Sequence, residues 1–301
     1  MPSHARSLSA PRVAIATCAA YPELDPDDRP LIAALQAAGL APSIAVWNDP
    51  HVLWQEFDLV VLRSTWDYTG ALPQFLAWID GLAGITDVAN SADVVRWSSE
   101  KTYLQVLDAA GVPTVPTIFV HDGEDPDFPD CEFVVKPTVS AGSRNTYRFS
   151  ADRRDAAHAA VRDIHLQGKN VMIQPYLASV DTLAETAMVY LDGTFSHAAR
   201  KAALLGLDVT EHAFENGLFI REEITARTPR ADQRAVADAA LACAPHGWLY
   251  ARVDLIDDHD GRPVVLEVEM VEPSLFLGTS PDPATGAAAR LAQAICSRLG
   301  D

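Results

Sequence analysis

The chain has 301 residues, enough for about two domains, with 49% hydrophobic and 21% charged residues. That balance supplies buried cores and excludes wholesale disorder or a fibrous protein. A formal charge of −18 argues against nucleic acid and anionic membranes as partners, since no Lys/Arg run longer than two residues builds a basic face.

The opening segment Met1–Pro11 is a short polar arm without the apolar core of a signal peptide. Arg12–Thr17 reads as a buried strand, Asp27–Ala38 as a helix stopped by Gly39, and Ser43–Trp47 and Asp58–Leu62 as further strands. Leu72–Leu82 is an amphipathic helix. Strands alternating with helices predict a parallel sheet covered by helices. The turn after the first strand lacks GxGxxG, so nicotinamide binding by the usual phosphate turn is not expected.

From about Asn90 the pattern changes. A helix is expected over Ser99–Ala110, capped by Ser98 or Ser99 and stopped by Gly111. Strands are expected at Thr117–Val120, Glu132–Lys136 and Val171–Leu177, with a long Ala-rich helix over Asp152–Gln167. Beyond them the strands come as hairpins. Glu185–Leu191 and Thr194–Lys201 flank Asp192-Gly193, and Ala251–Ile256 and Pro263–Val271 flank Asp260-Gly261. Pro229–Ala244 and Ala284–Leu299 are predicted covering helices. No stretch reaches the ~18 apolar residues of a spanning helix. Four separated cysteines without a CxxC fit a reducing cytoplasm, the expected location.

The second hairpin carries the strongest chemistry. With Asp260 and Gly261 as the two central turn residues, Asp254 faces Glu267 and Arg252 faces Glu269. All four charged side chains then share one sheet face, and Val253, Leu255, Leu266 and Val268 take the other. Three carboxylates on one face suit a hard metal ion; the same alternation also suits a solvated outer face.

Of the 23 basic residues only four are lysines, Lys101, Lys136, Lys169 and Lys201, which marks positions where a compact ammonium is retained. Lys136 ends a buried strand ahead of the small-residue loop TVSAGS, whose N–H groups could approach phosphate. Lys101 heads the predicted helix, Lys201 ends a strand, and Lys169 lies in a turn with no assigned role. Gln174-Pro175-Tyr176-Leu177 ends a strand at a junction suited to a planar ligand.

Taken in order from about Asn90, these features resemble the ATP-grasp superfamily. RSTWDY (63–68) and VEPSLFL (271–277) resemble its glutathione-synthetase-like branch. The resemblance implies an α/β and α+β ATP-grasp fold. Residues 1–97 would form the Rossmann-like pre-ATP-grasp domain, 98–178 the small lid subdomain and 179–301 the C-terminal subdomain with the metal site. It implies ATP held by Lys101, Lys136 and Ser140 of the loop, with Gln174, Tyr176 and Leu177 at the adenine and Glu185 or Asp181 at the ribose. Lys201 and Arg252 would serve the transferring phosphoryl group, and Asp254, Glu267 and Glu269 would bind Mg²⁺, with Glu269 standing where many relatives have asparagine. Arg63 and Ser274 are the substrate candidates, Arg63 by forked hydrogen bonds to a carboxylate or ureido oxygen.

The activity implied is an ATP-dependent carbon–nitrogen ligase acting on a small amino-acid-like substrate through an acyl phosphate. Within the branch, the closest chemistry is ring closure of O-ureido-D-serine to D-cycloserine, an antibiotic biosynthetic step. An intermolecular carboxylate–amine ligase and a silent nucleotide-binding module are the alternatives, and homo-oligomer formation is left open.

Overall fold

The protein is described from a computed structural model over residues 10–209, 216–218, 223–280 and 286–300. Most of the Met1–Pro11 arm and the start of the expected Ala284–Leu299 helix lie outside the described residues.

The first sheet contains β1 (Arg12–Thr17), β2 (Ala41–Val46), β3 (Leu59–Leu62) and β4 (Asp87–Ala89), with α1 (Arg29–Ala37) and α2 (Leu72–Leu82) between them. Its order is β2-β1-β3-β4 and every pairing is parallel, as continuous apolar runs covered on both faces require. β4 was not expected; three residues leave too short a period to read.

Of the expected helix Ser99–Ala110, α4 (Tyr103–Ala109) is helical, and a further helix, α3 (Ala92–Ser99), precedes it where none was expected. They separate because the Lys101 N–H donates to Thr138 O at 2.9 Å rather than continuing a helix. Ser98 is no cap: its hydroxyl donates to Val268 O and accepts the Met270 N–H. Val94, Tyr103, Leu104 and Leu107 share a core with Met188, Val253 and Val268. These helices therefore pack on the third sheet, across the boundary drawn at residue 98.

The second sheet follows: β5 (Ile118–Val120), β6 (Phe133–Pro137), β7 (Tyr147–Phe149), α5 (Arg154–His165) and β8 (Val171–Pro175). It is antiparallel in the order β5-β8-β6-β7, and α5 covers one face with Ala157, Val161 and Ile164. A short α6 (Ser179–Leu183) leads to the third sheet, built from β9 (Glu185–Leu191), β10 (Thr194–Lys201), β11 (Ile224–Arg227), β12 (Tyr250–Asp257) and β13 (Pro263–Glu269), with α7 (Ala231–Ala242). Its order is β11-β10-β9-β12-β13. Asp192 and Gly193 both have positive φ, 46° and 72°, the geometry of a two-residue hairpin turn.

The last helix, α8 (Ala287–Gly300), returns to the first domain, where Leu291 and Ile295 join Val13, Leu31 and Leu35 in one core. Among the described residues no helix is long and apolar enough to cross a membrane.

Candidate active site

Strands β12 and β13 place Arg252 opposite Glu269 and Asp254 opposite Glu267. Nearer the turn the register differs by one: Leu255 pairs with Val265 and Asp257 with Pro263. The turn is longer than two residues, with Asp258 N–H bonded to Arg262 O and only Gly261 at positive φ. A β-bulge at Leu266 then restores the expected pairing. A bulge turns two successive side chains toward one side, and Leu266 accordingly lines the same cavity as Glu267. That corrects its expected place on the apolar face, which Val253, Leu255 and Val268 do occupy.

The charged face is not solvated. Asp254 is 1% exposed and Arg252 5%. Asp254 spends both oxygens on Arg252, at 2.8 and 2.9 Å, and accepts Lys201 Nζ at 2.8 Å. It does not line the cavity, and among the described residues no group of three carboxylate, His or Cys ligands converges on one point. Of the three expected metal carboxylates, Glu267 and Glu269 line the cavity and Asp254 does not. Glu267 and Glu269 hydrogen-bond to each other, with Glu269 also 2.8 Å from Arg252 and Glu267 3.2 Å from Lys101. Burial drives Glu269 well above the usual carboxylate range despite Arg252, and the neighbouring Glu267 adds to the rise. Burial acts on Glu267 too, but Lys101 and Lys136 outweigh it and hold that carboxyl well below its usual range. Two crowded carboxylates of this kind fit a hard cation that completes its shell with phosphate oxygens.

These groups border a cavity of about 510 Å³. Every predicted site residue except Asp254 and Arg63 lines it. Lys136, at the end of β6, is 7% exposed and makes no ion pair among the described residues; burial lowers its pKa. Lys101 Nζ donates to Ser140 O at 2.8 Å, and Lys201 lies 3.0 Å from Glu185. Lys169, given no role from sequence, donates to Val139 O at 3.1 Å. Two lysines therefore hold successive carbonyls of the small-residue loop.

Leu177, Val180, Val115 and Ile256, which also line the cavity, form an apolar cluster beside Tyr176 and Leu266. Gln174 is 2% exposed and donates to Thr117 Oγ1 at 2.8 Å. Glu185 lines the cavity, whereas Asp181 does not; its carboxylate accepts the Tyr176 hydroxyl and faces Arg148.

Arg63 is displaced from its expected role. It is 1% exposed, bonded to Asp28 at 2.9 and 2.8 Å and to Pro273 O at 2.6 Å. It belongs to a set of donors along residues 270–275, where six successive carbonyls each accept a different side chain. In order these are Asn90, the Tyr250 hydroxyl, Trp66 Nε1, Arg63, Arg252 and His197 Nε2. The donors come from the first domain and from β10 and β12. This strap presents Glu272, Ser274 and Phe276 to the cavity.

Sequence reasoning missed three cavity-lining acids, Asp25, Asp27 and Glu272. Asp27, in the loop before α1, has a buried, unpartnered Oδ2, and burial beside Asp28 pushes its pKa up to about 6. Glu272 is 5% exposed, and burial raises its pKa to about 7. Period-two alternation from Glu269 would have turned Glu272 away, but β13 ends at Glu269 and the chain bends.

Residues 13–90 match the family of N-terminal domains of D-cycloserine synthetase DcsG. The chain is 38% identical over 303 residues to the cycloserine biosynthesis protein DcsG of Streptomyces lavendulae, covering 95% of this chain and 98% of that protein. The crystal structure of D-cycloserine synthetase DcsG is similar at TM-score 0.84 and 35% identity, covering 96% of this chain and 99% of that one. ATP-grasp ligase PsnB complexed with minimal precursor, Mg and ADP shares the fold at TM-score 0.62 and 18% identity, over 99% of this chain and 100% of that one.

Proposed function

The chain belongs to the D-cycloserine synthetase family of ATP-grasp ligases, and from that premise we propose that it closes O-ureido-D-serine to D-cycloserine at the expense of ATP. The observation that carries this reading is one cavity lined by three lysines, a pair of carboxylates and a cluster of apolar groups. ATP is the co-substrate. Its phosphates fit beside Lys101, Lys136 and Lys201 under the 138–146 loop, and its base fits against Leu177, Tyr176 and Leu266, with Gln174 adjacent.

Glu267 and Glu269 would hold Mg²⁺, which supplies charge neutralisation at the phosphates. Asp254 acts one layer behind, orienting Arg252 and Lys201. The substrate carboxylate attacks the γ-phosphorus while the lysines and Arg252 offset charge on the transferring group. The acyl phosphate is then attacked by the oxygen-bound ureido nitrogen of the same molecule and phosphate departs, after which one water hydrolyses the carbamoyl group from that nitrogen to carbon dioxide and ammonia. Holding both reacting ends in one cavity removes the entropy of a second encounter.

The test is ADP release and product mass from ATP, Mg²⁺ and O-ureido-D-serine, with no added amine. D-Cycloserine formed in step with ADP is the expected outcome. A strict requirement for a second amine overturns ring closure and leaves an intermolecular ligase.

A further inference from the structure

We propose that Glu272 is the catalytic base that removes the proton from the ring-closing nitrogen, an inference that rests on the ring-closure reading. A ureido nitrogen has its lone pair drawn into the urea carbonyl and attacks poorly while its N–H is intact. In the step proposed, the N–C bond forms as the C–O bond to phosphate breaks. Phosphate leaves with that electron pair, and the N–H proton passes to the Glu272 carboxylate.

Four acids at or behind the cavity are held by cations. Asp254 is bound to Arg252 and Lys201, Glu267 to Lys101, Glu269 to Arg252 and Glu185 to Lys201. Glu272 makes no ion pair among the described residues, and its own N–H is the group that bonds its carboxyl. The side chain is nearly enclosed, yet it lines the cavity. Its backbone is immobilised, because its carbonyl accepts Trp66 Nε1 at 3.2 Å and the carbonyls on either side are bonded to Tyr250 and Arg63. A base held this firmly keeps its orientation through the reaction. Lys101, Arg63 and Arg252 are the cations whose fields reach it, and burial outweighs them, leaving a carboxyl that exchanges protons near neutrality.

The experiment separates activation from ring closure. With ATP, Mg²⁺ and O-ureido-D-serine, hydroxylamine traps the acyl phosphate as a hydroxamate, while D-cycloserine is measured without the trap. In Glu272→Gln the ratio of ring product to hydroxamate is expected to fall by about 100-fold or more, with Glu272→Asp recovering part of the loss. Hydroxamate formation also reports that the variant is folded. Three results overturn the assignment: an unchanged ratio in Glu272→Gln, parallel loss of hydroxamate and ring product, or a fall in the ratio confined to Asp27→Asn. Wild-type protein that yields hydroxamate but never the ring overturns the ring-closure reading, and the base assignment falls with it.

Discussion

Lys101 and Glu267 meet across the cavity at 3.2 Å, one from the break between α3 and α4, the other from β13. The cation expected on phosphate and the carboxylate expected on metal thus neutralise each other in the protein alone. Nucleotide with its metal would satisfy both at once, so the pair stores the site's charge balance rather than competing with the ligand.

Replacing Glu267 with Gln should therefore cost Mg²⁺-dependent ADP formation about 100-fold or more while the protein stays folded. Steady-state ADP release and a melting curve check this together. Activity retained with normal Mg²⁺ dependence would show that Glu267 holds no metal.

Lys136 has the opposite energetics. It is buried without an ion pair among the described residues, so its charge opposes folding until phosphate arrives. Lys136→Ala should weaken ATP binding by about 1.5–3 kcal/mol and leave the ligand-free protein equally or more stable. Calorimetric ATP titration and melting in the absence of nucleotide measure the two effects. A lower melting temperature would contradict the account.

Arg63 should behave as a strut. Arg63→Ala leaves Asp28 buried without its partner and Pro273 O without its donor, a loss of about 3–5 kcal/mol in urea unfolding. Arg63→Lys keeps the charge but not the fork, and should destabilise less. If instead Arg63→Lys raised the substrate KM with no change in unfolding, Arg63 would be a substrate ligand after all.

Asp27 supplies a pH effect of defined sign. Its pKa is pushed up to about 6 by burial and by Asp28, above its value in the unfolded chain. The native state therefore holds the extra proton between about pH 4 and 6, and stability falls as pH rises through that window. Asp27→Asn should melt above wild type near pH 7.5 without ligands, with the advantage gone near pH 4. A constant difference across that range would show that the acid is not strained.

Much of this was legible in the residues. The parallel first sheet follows from apolar runs alternating with helices. The charged face of β12 and β13 follows from a two-residue pleat, which keeps Arg252 with Asp254 and Glu267 with Glu269 whatever the turn. The scarce lysines pointed to three of the cavity's cations. The pairing across the hairpin came out as expected only because a longer turn and a bulge at Leu266 offset each other, and no local pattern announces that compensation.

What the sequence determined by itself was periodicity: which side chains share a face, where hairpins turn, and which residue types could meet phosphate and metal. Tertiary structure decided the partners. Arg63 is matched to Asp28 and Pro273, residues 35 and 210 positions away, and Asp254 is taken by Lys201 from a strand 53 positions before it. Glu272 makes no ion pair among the described residues, although the fields of Lys101, Arg63 and Arg252 reach it from three different elements. Local pattern is set by backbone geometry over a few residues, whereas the state of a buried charge is set by whatever the fold brings within a few ångströms of it.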